Sequence, residues 1–168
     1  MNIVLTGFMA SGKSTVGKKI ARMYGMDFID TDAFIEKDQN MKISDIFAKF
    51  GEKYFRDLEN RAAEKLSHQI DNTVIATGGG FVMNRENIEF LHRNGIIVNL
   101  NPSMEIIKER LKTGAAERPL AKDEKVLEEL FEKRKPYYAD CDIQIDINKE
   151  VPPEITAAEI MKRAGGIL

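Results

Sequence analysis

Residues 7–15 read Gly7-Phe8-Met9-Ala10-Ser11-Gly12-Lys13-Ser14-Thr15, which fits the phosphate-binding pattern G-x-x-x-x-G-K-[ST]. An apolar run at residues 3–5 precedes this stretch, and the segment that follows, residues 14–24, carries apolar side chains at helical spacing. Glycines let the backbone N–H groups of such a loop converge on an anion, and the start of a helix adds partial positive charge. The alternative is a glycine-rich turn that caps an ordinary helix. The strand before the loop and the helix after it favour the phosphate site.

The composition indicates one globular domain. The chain has 168 residues, 43% of them hydrophobic and 31% charged, with a net charge of −2, which is ordinary for a soluble protein. This charge argues against a nucleic-acid surface, which requires a concentrated excess of Lys and Arg. No apolar run approaches the roughly 20 residues that span a bilayer, and we expect no signal peptide. Cys141 is the single cysteine and is interpreted as a buried apolar residue. A chain without an internal disulfide suits a reducing compartment, so we expect a cytoplasmic protein.

Strand-like and helix-like segments alternate, which predicts an α/β fold with a parallel sheet covered by helices on both faces. The predicted strands are residues 2–6, 27–30, 73–77, 96–100 and 142–147. The predicted helices are residues 13–24, 32–38, 43–50, 52–70, 84–94, 103–112, 123–138 and 153–164. Gly25 is expected to end the first helix, and Asn84 and Ser103 to cap later ones. In a doubly wound sheet, a ligand lies at the carboxyl ends of the strands.

Two carboxylates follow one another at the end of the second predicted strand. Asp30 and Asp32 lie two residues apart, so an extended backbone would direct both side chains to the edge where the loop holds phosphate. One could organise Mg²⁺-bound water while the other accepts a hydrogen bond from a substrate hydroxyl. Alternatively, Asp32 caps the helix that follows it. Position alone leaves these two interpretations equal, and both can hold together.

Three glycines at residues 78–80 follow the third predicted strand. They would let the backbone approach a small molecule and would offer N–H donors, although a flexible turn has the same sequence. Arg56 has Glu59 three residues later on the same helix face, where the carboxylate could hold the guanidinium. Arg134 lies on a later helix. A single helical arginine is usually solvated, whereas two that converge on one pocket would select a carboxylate substrate.

Residues 114–122 interrupt the alternation of strands and helices. The segment is polar, lacks periodicity and contains Arg118 followed by Pro119. This pattern is typical of a mobile loop over a site, although a plain connector would look similar.

Together these residues resemble the shikimate kinase family over nearly the whole chain. The resemblance rests on residues 7–15, Asp30-Thr31-Asp32, Phe55-Arg56-x-x-Glu59, Gly78-Gly79-Gly80, Arg118-Pro119-Leu120, and Arg134 before Tyr137-Tyr138. It implies one P-loop kinase domain over residues 1–168, with a three-layer α/β architecture and a five-stranded parallel sheet in the order 2-3-1-4-5. It further implies substrate-binding helices near residues 32–60 and a mobile lid near residues 112–123. The implied activity is phosphorylation of the 3-hydroxyl of shikimate by MgATP, in aromatic amino acid biosynthesis, by a cytoplasmic monomer.

The resemblance also implies roles for single residues. Shikimate would be bound by Asp32 on its ring hydroxyls, by Arg56 and Arg134 on its carboxylate, and by Gly78, Gly79 and Gly80. ATP would be bound by Ala10, Ser11, Gly12, Lys13, Ser14, Thr15, Arg110, Arg118 and Lys149, and Mg²⁺ by Ser14 with Asp30 in the outer shell. Lys13, Asp32 and Arg118 are the catalytic candidates. The two cations would offset charge on the transferred group, and Asp32 would act as a general base or only position the hydroxyl.

Two features depart from the family or stay open. Many relatives carry glycine where Ala10 stands, and alanine is tolerated there only if the residue needs no positive φ. For the adenine, Arg110 or Lys112 is expected to cover one face of the base. Asn148 or Lys149 is expected to line the other side.

Other functions remain as alternatives. A kinase for gluconate or for a nucleoside monophosphate would share the scaffold and differ in the acceptor pocket. A GTPase-like switch usually carries Asp-x-x-Gly and Asn-Lys-x-Asp, but no Asp here precedes a Gly at that spacing, and Val151 stands where the second motif requires Asp. A degenerate nucleotide-binding module is disfavoured because Lys13, Ser14, Asp32 and Arg118 are all present.

Overall fold

The structure is a computed structural model and describes residues 1–114 and 123–167. Five parallel strands form one sheet in the order β2-β3-β1-β4-β5. They are β1 (Asn2–Thr6), β2 (Asp27–Asp30), β3 (Thr73–Ala76), β4 (Gly95–Pro102) and β5 (Ile143–Ile147). Every residue of β1 is buried, as expected for a central strand with helices on both faces. The predicted parallel sheet and its strand order are confirmed.

Seven helices are described, and they cover both faces of the sheet. They are α1 (Lys13–Tyr24), α2 (Thr31–Gln39), α3 (Ile43–Gln69), α4 (Arg85–His92), α5 (Met104–Gly114), α6 (Glu124–Tyr138) and α7 (Pro153–Gly165). A short 3₁₀ turn spans Phe81–Met83. None of these helices is both long enough and apolar enough to cross a membrane.

Alternate residues of β1 enter two separate apolar cores, because successive strand side chains point to opposite faces. Ile3 and Leu5 belong to a core formed with α1 and α7, whereas Val4 belongs to a core formed with α3, α4 and α6. This arrangement confirms the three-layer prediction. Cys141 packs against the second core but is only partly buried, so its interpretation as a buried apolar residue is confirmed only in part.

Most element boundaries differ from the predictions by one or two residues, and two differences have a clear structural cause. β4 extends to Pro102 rather than ending at residue 100, because its last five residues pair with the whole of β5. The predicted helices 43–50 and 52–70 are the two halves of α3, which is interrupted at Gly51 by non-helical backbone (φ 82°, ψ 176°). Glycine adopts this conformation readily, which is why the break was visible in the sequence.

The sheet brings three loops to one edge. β2, β3 and β1 are neighbours, and Ala76 is in register with both Asp30 and Leu5. The carboxyl ends of these parallel strands therefore lie side by side. The phosphate loop after β1, the start of α2 after β2 and the glycines after β3 meet there.

Candidate active site

The phosphate loop leads directly into α1. Gly12 precedes the helix in left-handed backbone (φ 93°), and no side chain caps the first turn. The N–H groups of that turn therefore lack helical partners and are available to an anion. Lys13 Nζ donates to the carbonyls of Gly7 (2.7 Å) and Phe8 (2.9 Å) and to Ser11 Oγ (3.1 Å). The ammonium thus lies along the loop, as a phosphate-binding lysine requires.

Ala10 adopts a positive φ, so the condition under which alanine would be tolerated there without strain is not met. Its φ is 58°, which is the left-handed region, and this conformation costs a residue with a Cβ about 1–2 kcal/mol. The Ala10 carbonyl accepts a hydrogen bond from Arg110 Nη1 at 3.0 Å. This contact from α5 helps to hold the loop in a backbone shape that a glycine at position 10 would adopt without strain.

Asp30, and not Asp32, caps α2. Asp30 Oδ1 accepts the N–H groups of Asp32 (3.0 Å) and Ala33 (3.2 Å), so the interpretation of Asp32 as the cap is wrong. The other oxygen, Asp30 Oδ2, accepts a hydrogen bond from Ser14 Oγ at 2.9 Å. A hydroxyl and a carboxylate beside a phosphate loop are hard oxygen donors that suit Mg²⁺. Within residues 1–114 and 123–167, no group of three His, Cys, Asp or Glu residues could hold a metal, so Mg²⁺ would also need phosphate or water oxygens.

Asp32 lies in the first turn of α2 rather than in an extended segment, because the chain turns into the helix at Thr31. The expected strand geometry is therefore wrong, but Asp30 and Asp32 both line the same cleft. Asp32 Oδ1 is buried and has no hydrogen-bond partner among the described residues. Burial raises the pKa of Asp32, assisted by the Asp30 carboxylate and opposed by Lys13 and Arg56. Buried polar atoms are nearly always paired, so this oxygen is suited to accept a bond from a ligand hydroxyl.

The glycine triplet packs against the predicted substrate residues. A Cβ at Gly78 would lie 2.9 Å from Asp32 Oδ1, and one at Gly80 would lie 2.5 Å from both terminal nitrogens of Arg56. A Cβ at Gly79 would lie 3.5 Å from Arg134 Nη1. Side chains at Gly78 and Gly80 would collide with these groups, so the triplet is a close approach of backbone to charged side chains rather than only a flexible turn.

The Arg56 guanidinium forms an ion pair with the buried carboxylate of Glu59. Its Nη1 contacts Glu59 Oε2 at 2.6 Å, Glu59 is 1% exposed, and the exposed Glu52 contacts Nη2 at 3.3 Å. The solvated-face interpretation of Arg56 is therefore wrong. Burial raises the pKa of Glu59 to about 7, although Arg56 opposes the shift. At Arg56 burial lowers the pKa, but the two carboxylates outweigh it and the net shift is upward.

Tyr138 contacts the glycine triplet, although the sequence analysis named it only as part of a motif. Its hydroxyl donates to the Gly79 carbonyl at 2.5 Å, and the side chain is 4% exposed. Tyr138 follows Arg134 by one helical turn on α6, and side chains at this spacing share a face. The spacing is the sequence signal that could have found it.

At the other end of the cleft, Arg110 bridges α5 to the segment after β5. Its Nε and Nη2 contact Glu150 Oε1 (2.6 Å) and Oε2 (2.8 Å), while Nη1 holds Ala10. The cleft has a volume of about 900 Å³. Besides the phosphate loop and the two aspartates, its lining includes Thr77, Gly78, Gly79, Arg110, Leu111, Ile147, Glu150, Val151, Pro153 and Thr156.

The structure separates the expected adenine residues. Arg110 lines the cleft, whereas Lys112, Asn148 and Lys149 are exposed and do not line it. Glu150 and Val151 lie where Asn148 or Lys149 was expected. Arg118 and the core of the predicted lid, residues 115–122, lie outside the described residues.

Comparisons with known proteins all identify the same family. Residues 9–164 match the family profile described as shikimate kinase. A shikimate kinase of Persephonella marina is 47% identical over 155 residues, which cover 92% of this chain and 93% of that protein.

Solved structures agree with the sequence comparison. A shikimate kinase from Acinetobacter baumannii, in complex with shikimate, superposes with a TM-score of 0.88 at 33% identity and covers 98% of this chain and 93% of its own. A shikimate kinase from Aquifex aeolicus superposes with a TM-score of 0.85 at 39% identity and covers 99% of this chain and 97% of its own.

Proposed function

The chain belongs to the shikimate kinase family, so its reaction is ATP-dependent phosphorylation of the 3-hydroxyl of shikimate, and we propose how its residues divide the work. The observation that carries the proposal is the cluster at the glycine triplet. An unpartnered carboxylate oxygen of Asp32 lies against Gly78, and the guanidinium groups of Arg56 and Arg134 lie against Gly80 and Gly79. An acceptor that bears both a hydroxyl and a carboxylate matches this set of charges.

The phosphate loop binds ATP. The uncapped first turn of α1 and the Lys13 ammonium supply the positive charge, with contacts expected from residues 10–15. Ser14 and Asp30 would hold Mg²⁺, which when bound neutralises charge on the phosphate oxygens. Arg110 borders the base, and Glu150 and Val151 support the opposite wall. Lys149 keeps at most a peripheral role, since it does not line the cleft.

The acceptor site binds shikimate between the glycine triplet and the two arginines. Arg56, oriented by Glu59, and Arg134 bind the substrate carboxylate through charge-assisted hydrogen bonds. Gly78 admits the ring next to Asp32, and Gly79 and Gly80 contribute backbone donors. Asp32 accepts the proton of the reacting hydroxyl, and its raised pKa makes it a stronger base than an ordinary aspartate.

Phosphoryl transfer mainly requires alignment and charge neutralisation. Lys13 and Arg118 provide the cations for the transferred group in this proposal. The assignment of Arg118 rests on the family resemblance alone, because it lies outside the described residues.

We propose a single catalytic domain over residues 1–168 that acts as a cytoplasmic monomer. Both substrate sites are built from one chain, which supports a monomer. The net charge of −2 supports the expectation of no nucleic-acid partner. Light scattering of the active protein would test the monomer, and an active dimer would contradict it.

The function is tested with purified protein, ATP and Mg²⁺ in a coupled assay of ADP formation. Shikimate, gluconate and nucleoside monophosphates are compared as acceptors, and the phosphorylated position is identified by NMR. We expect turnover with shikimate and phosphate on the 3-hydroxyl. Faster turnover with gluconate or with a nucleotide, or release of ADP without any acceptor dependence, would refute the assignment.

A further inference from the structure

The Tyr138 hydroxyl contacts the glycine triplet, residues 78–80, and has no role in the reaction as proposed above. It is almost fully buried at the end of α6 and donates to the Gly79 carbonyl at 2.5 Å. Burial raises the pKa of Tyr138 to about 12. The hydroxyl therefore keeps its proton near neutral pH and remains a hydrogen-bond donor.

The hydrogen bond to Gly79 also determines where the next N–H points. A trans peptide is planar, and its C=O and N–H groups point in opposite directions. The peptide between Gly79 and Gly80 is trans, so the Gly80 N–H points away from Tyr138. Among the described residues this N–H has no protein acceptor. It is a donor with a defined direction, next to the Arg56 guanidinium.

The same hydroxyl is close to Arg134. The two residues are one turn apart on α6, and the charge and hydrogen bonding of Arg134 act to lower the pKa of Tyr138, although burial outweighs them. Arg134 Nη1 also lies near Gly79. The Tyr138 hydroxyl therefore contacts the glycine triplet and lies next to the Arg134 guanidinium, which itself lies near the same triplet.

We propose that Tyr138 is a positioning residue that aligns the Gly80 N–H and the Arg134 guanidinium for the carboxylate of the acceptor. The inference rests on the proposed function, because it assumes that an acidic acceptor binds at the glycine triplet. Tyr138 touches no reacting atom and acts only through Gly79 and Arg134. Its loss should therefore weaken acceptor binding without disturbing the nucleotide.

Tyr138→Phe removes the hydroxyl and keeps the ring. We expect the KM for shikimate to rise about 3- to 10-fold, the effect of one hydrogen bond, with the KM for ATP and the melting temperature close to wild type. Tyr137→Phe is the matched control, because Tyr137 is adjacent and 43% exposed. It should leave both KM values unchanged.

A double-mutant cycle with Arg134→Ala adds a readout that a general packing role would not produce. If Tyr138 acts partly through Arg134, the loss caused by Tyr138→Phe should be smaller in the Arg134→Ala background. An unchanged KM for shikimate, fully additive effects, or equal losses for both substrates would overturn the inference, and so would a variant that does not fold. Absence of shikimate turnover in the wild type would instead refute the proposed function.

Discussion

Asp32 and Asp30 are two residues apart, and we propose different chemical roles for them because their oxygens have different hydrogen-bond partners. Asp30 uses one oxygen for two backbone N–H groups and the other for Ser14. Asp32 keeps a buried oxygen without a partner among the described residues. In the proposed function, the carboxylate whose bonds are satisfied by the fold has a structural and metal-binding role, and the oxygen without a partner accepts the substrate hydroxyl.

Asp32→Asn should reduce kcat at least about 100-fold, since general base or positioning groups contribute on this scale. The amide keeps the shape but cannot accept a proton. The KM for ATP should stay within about 2-fold, because Asp32 does not belong to the phosphate loop. Steady-state kinetics with both substrates provide the measurement.

Asp38→Asn is the control for this variant, because Asp38 lies on the same helix and forms an exposed pair with Lys65. It should leave kcat unchanged. A turnover of Asp32→Asn within a few-fold of wild type would exclude Asp32 from the chemistry.

The raised pKa of Glu59 predicts that the stability of the protein depends on pH. Its pKa is about 7 in the folded protein against an ordinary 4.5, so the folded state binds the proton more tightly than the unfolded state. The stabilisation that comes from this tighter proton binding is complete below pH 4.5 and is lost as the pH rises through 7. Relative to Glu59→Gln, the unfolding free energy of the wild type should therefore fall between these pH values, by on the order of 2–3 kcal/mol.

Denaturant unfolding of both proteins at several pH values measures this difference. Glu52→Gln is the control, since Glu52 contacts the same guanidinium from a 69% exposed position. Its difference from wild type should stay below about 1 kcal/mol, the scale of an exposed ion pair. A difference for Glu59→Gln that rises with pH would show that the Arg56 charge, and not burial, controls this carboxyl.

At the scale of elements, the glycine triplet at residues 78–80 allows three charged side chains to approach its backbone closely. Gly80→Ala would place a Cβ 2.5 Å from both terminal nitrogens of Arg56. The guanidinium is the far end of a flexible side chain, so the fold should persist while Arg56 moves. Loss of a charge-assisted hydrogen bond should raise the KM for shikimate about 10- to 100-fold.

Gly165→Ala is the control for the loop variant, because a Cβ there meets nothing within 4 Å. Gly165 is the last residue of α7, so this change should preserve both KM values and leave stability equal or slightly higher. A normal KM for shikimate in Gly80→Ala would show that the binding position of Arg56 does not depend on the absence of a side chain at residue 80.

Across the whole molecule, Arg110 connects parts that are far apart in sequence. It joins α5 to the phosphate loop through Ala10 and to the segment after β5 through Glu150. Glu150→Ala should release the guanidinium and raise the KM for ATP about 2- to 5-fold, the scale of an exposed ion pair. The KM for shikimate should not change, because the pair lies at the other end of the cleft.

Glu159→Ala removes a similar pair with Arg163, 2.6 Å long, within α7, and Glu159 does not line the cleft. It should leave both KM values at wild-type levels. An unchanged KM for ATP in Glu150→Ala would mean that the pair does not position Arg110 for the nucleotide.

Local features were predictable because they depend on residues that are neighbours in sequence. The phosphate loop, the end of α1 at Gly25, the cap at Asn84 and the interruption at Gly51 all appear where expected. Each depends on the conformational freedom of glycine or on a short polar side chain close to its own backbone. The alternation of such segments was also enough to predict a parallel sheet.

Tertiary structure alone decided which polar groups far apart in sequence meet. It brings Tyr138 to Gly79 across 59 positions and Arg110 to Ala10 across 100, and it leaves Lys149 outside the cleft. It also imposes the left-handed backbone of Ala10. These outcomes depend on strand register and on helix packing against the sheet, which sum contacts over the whole chain. A local sequence pattern does not contain these long-range contacts. The sequence therefore indicated which chemistry to expect, and only the folded chain decided its geometry.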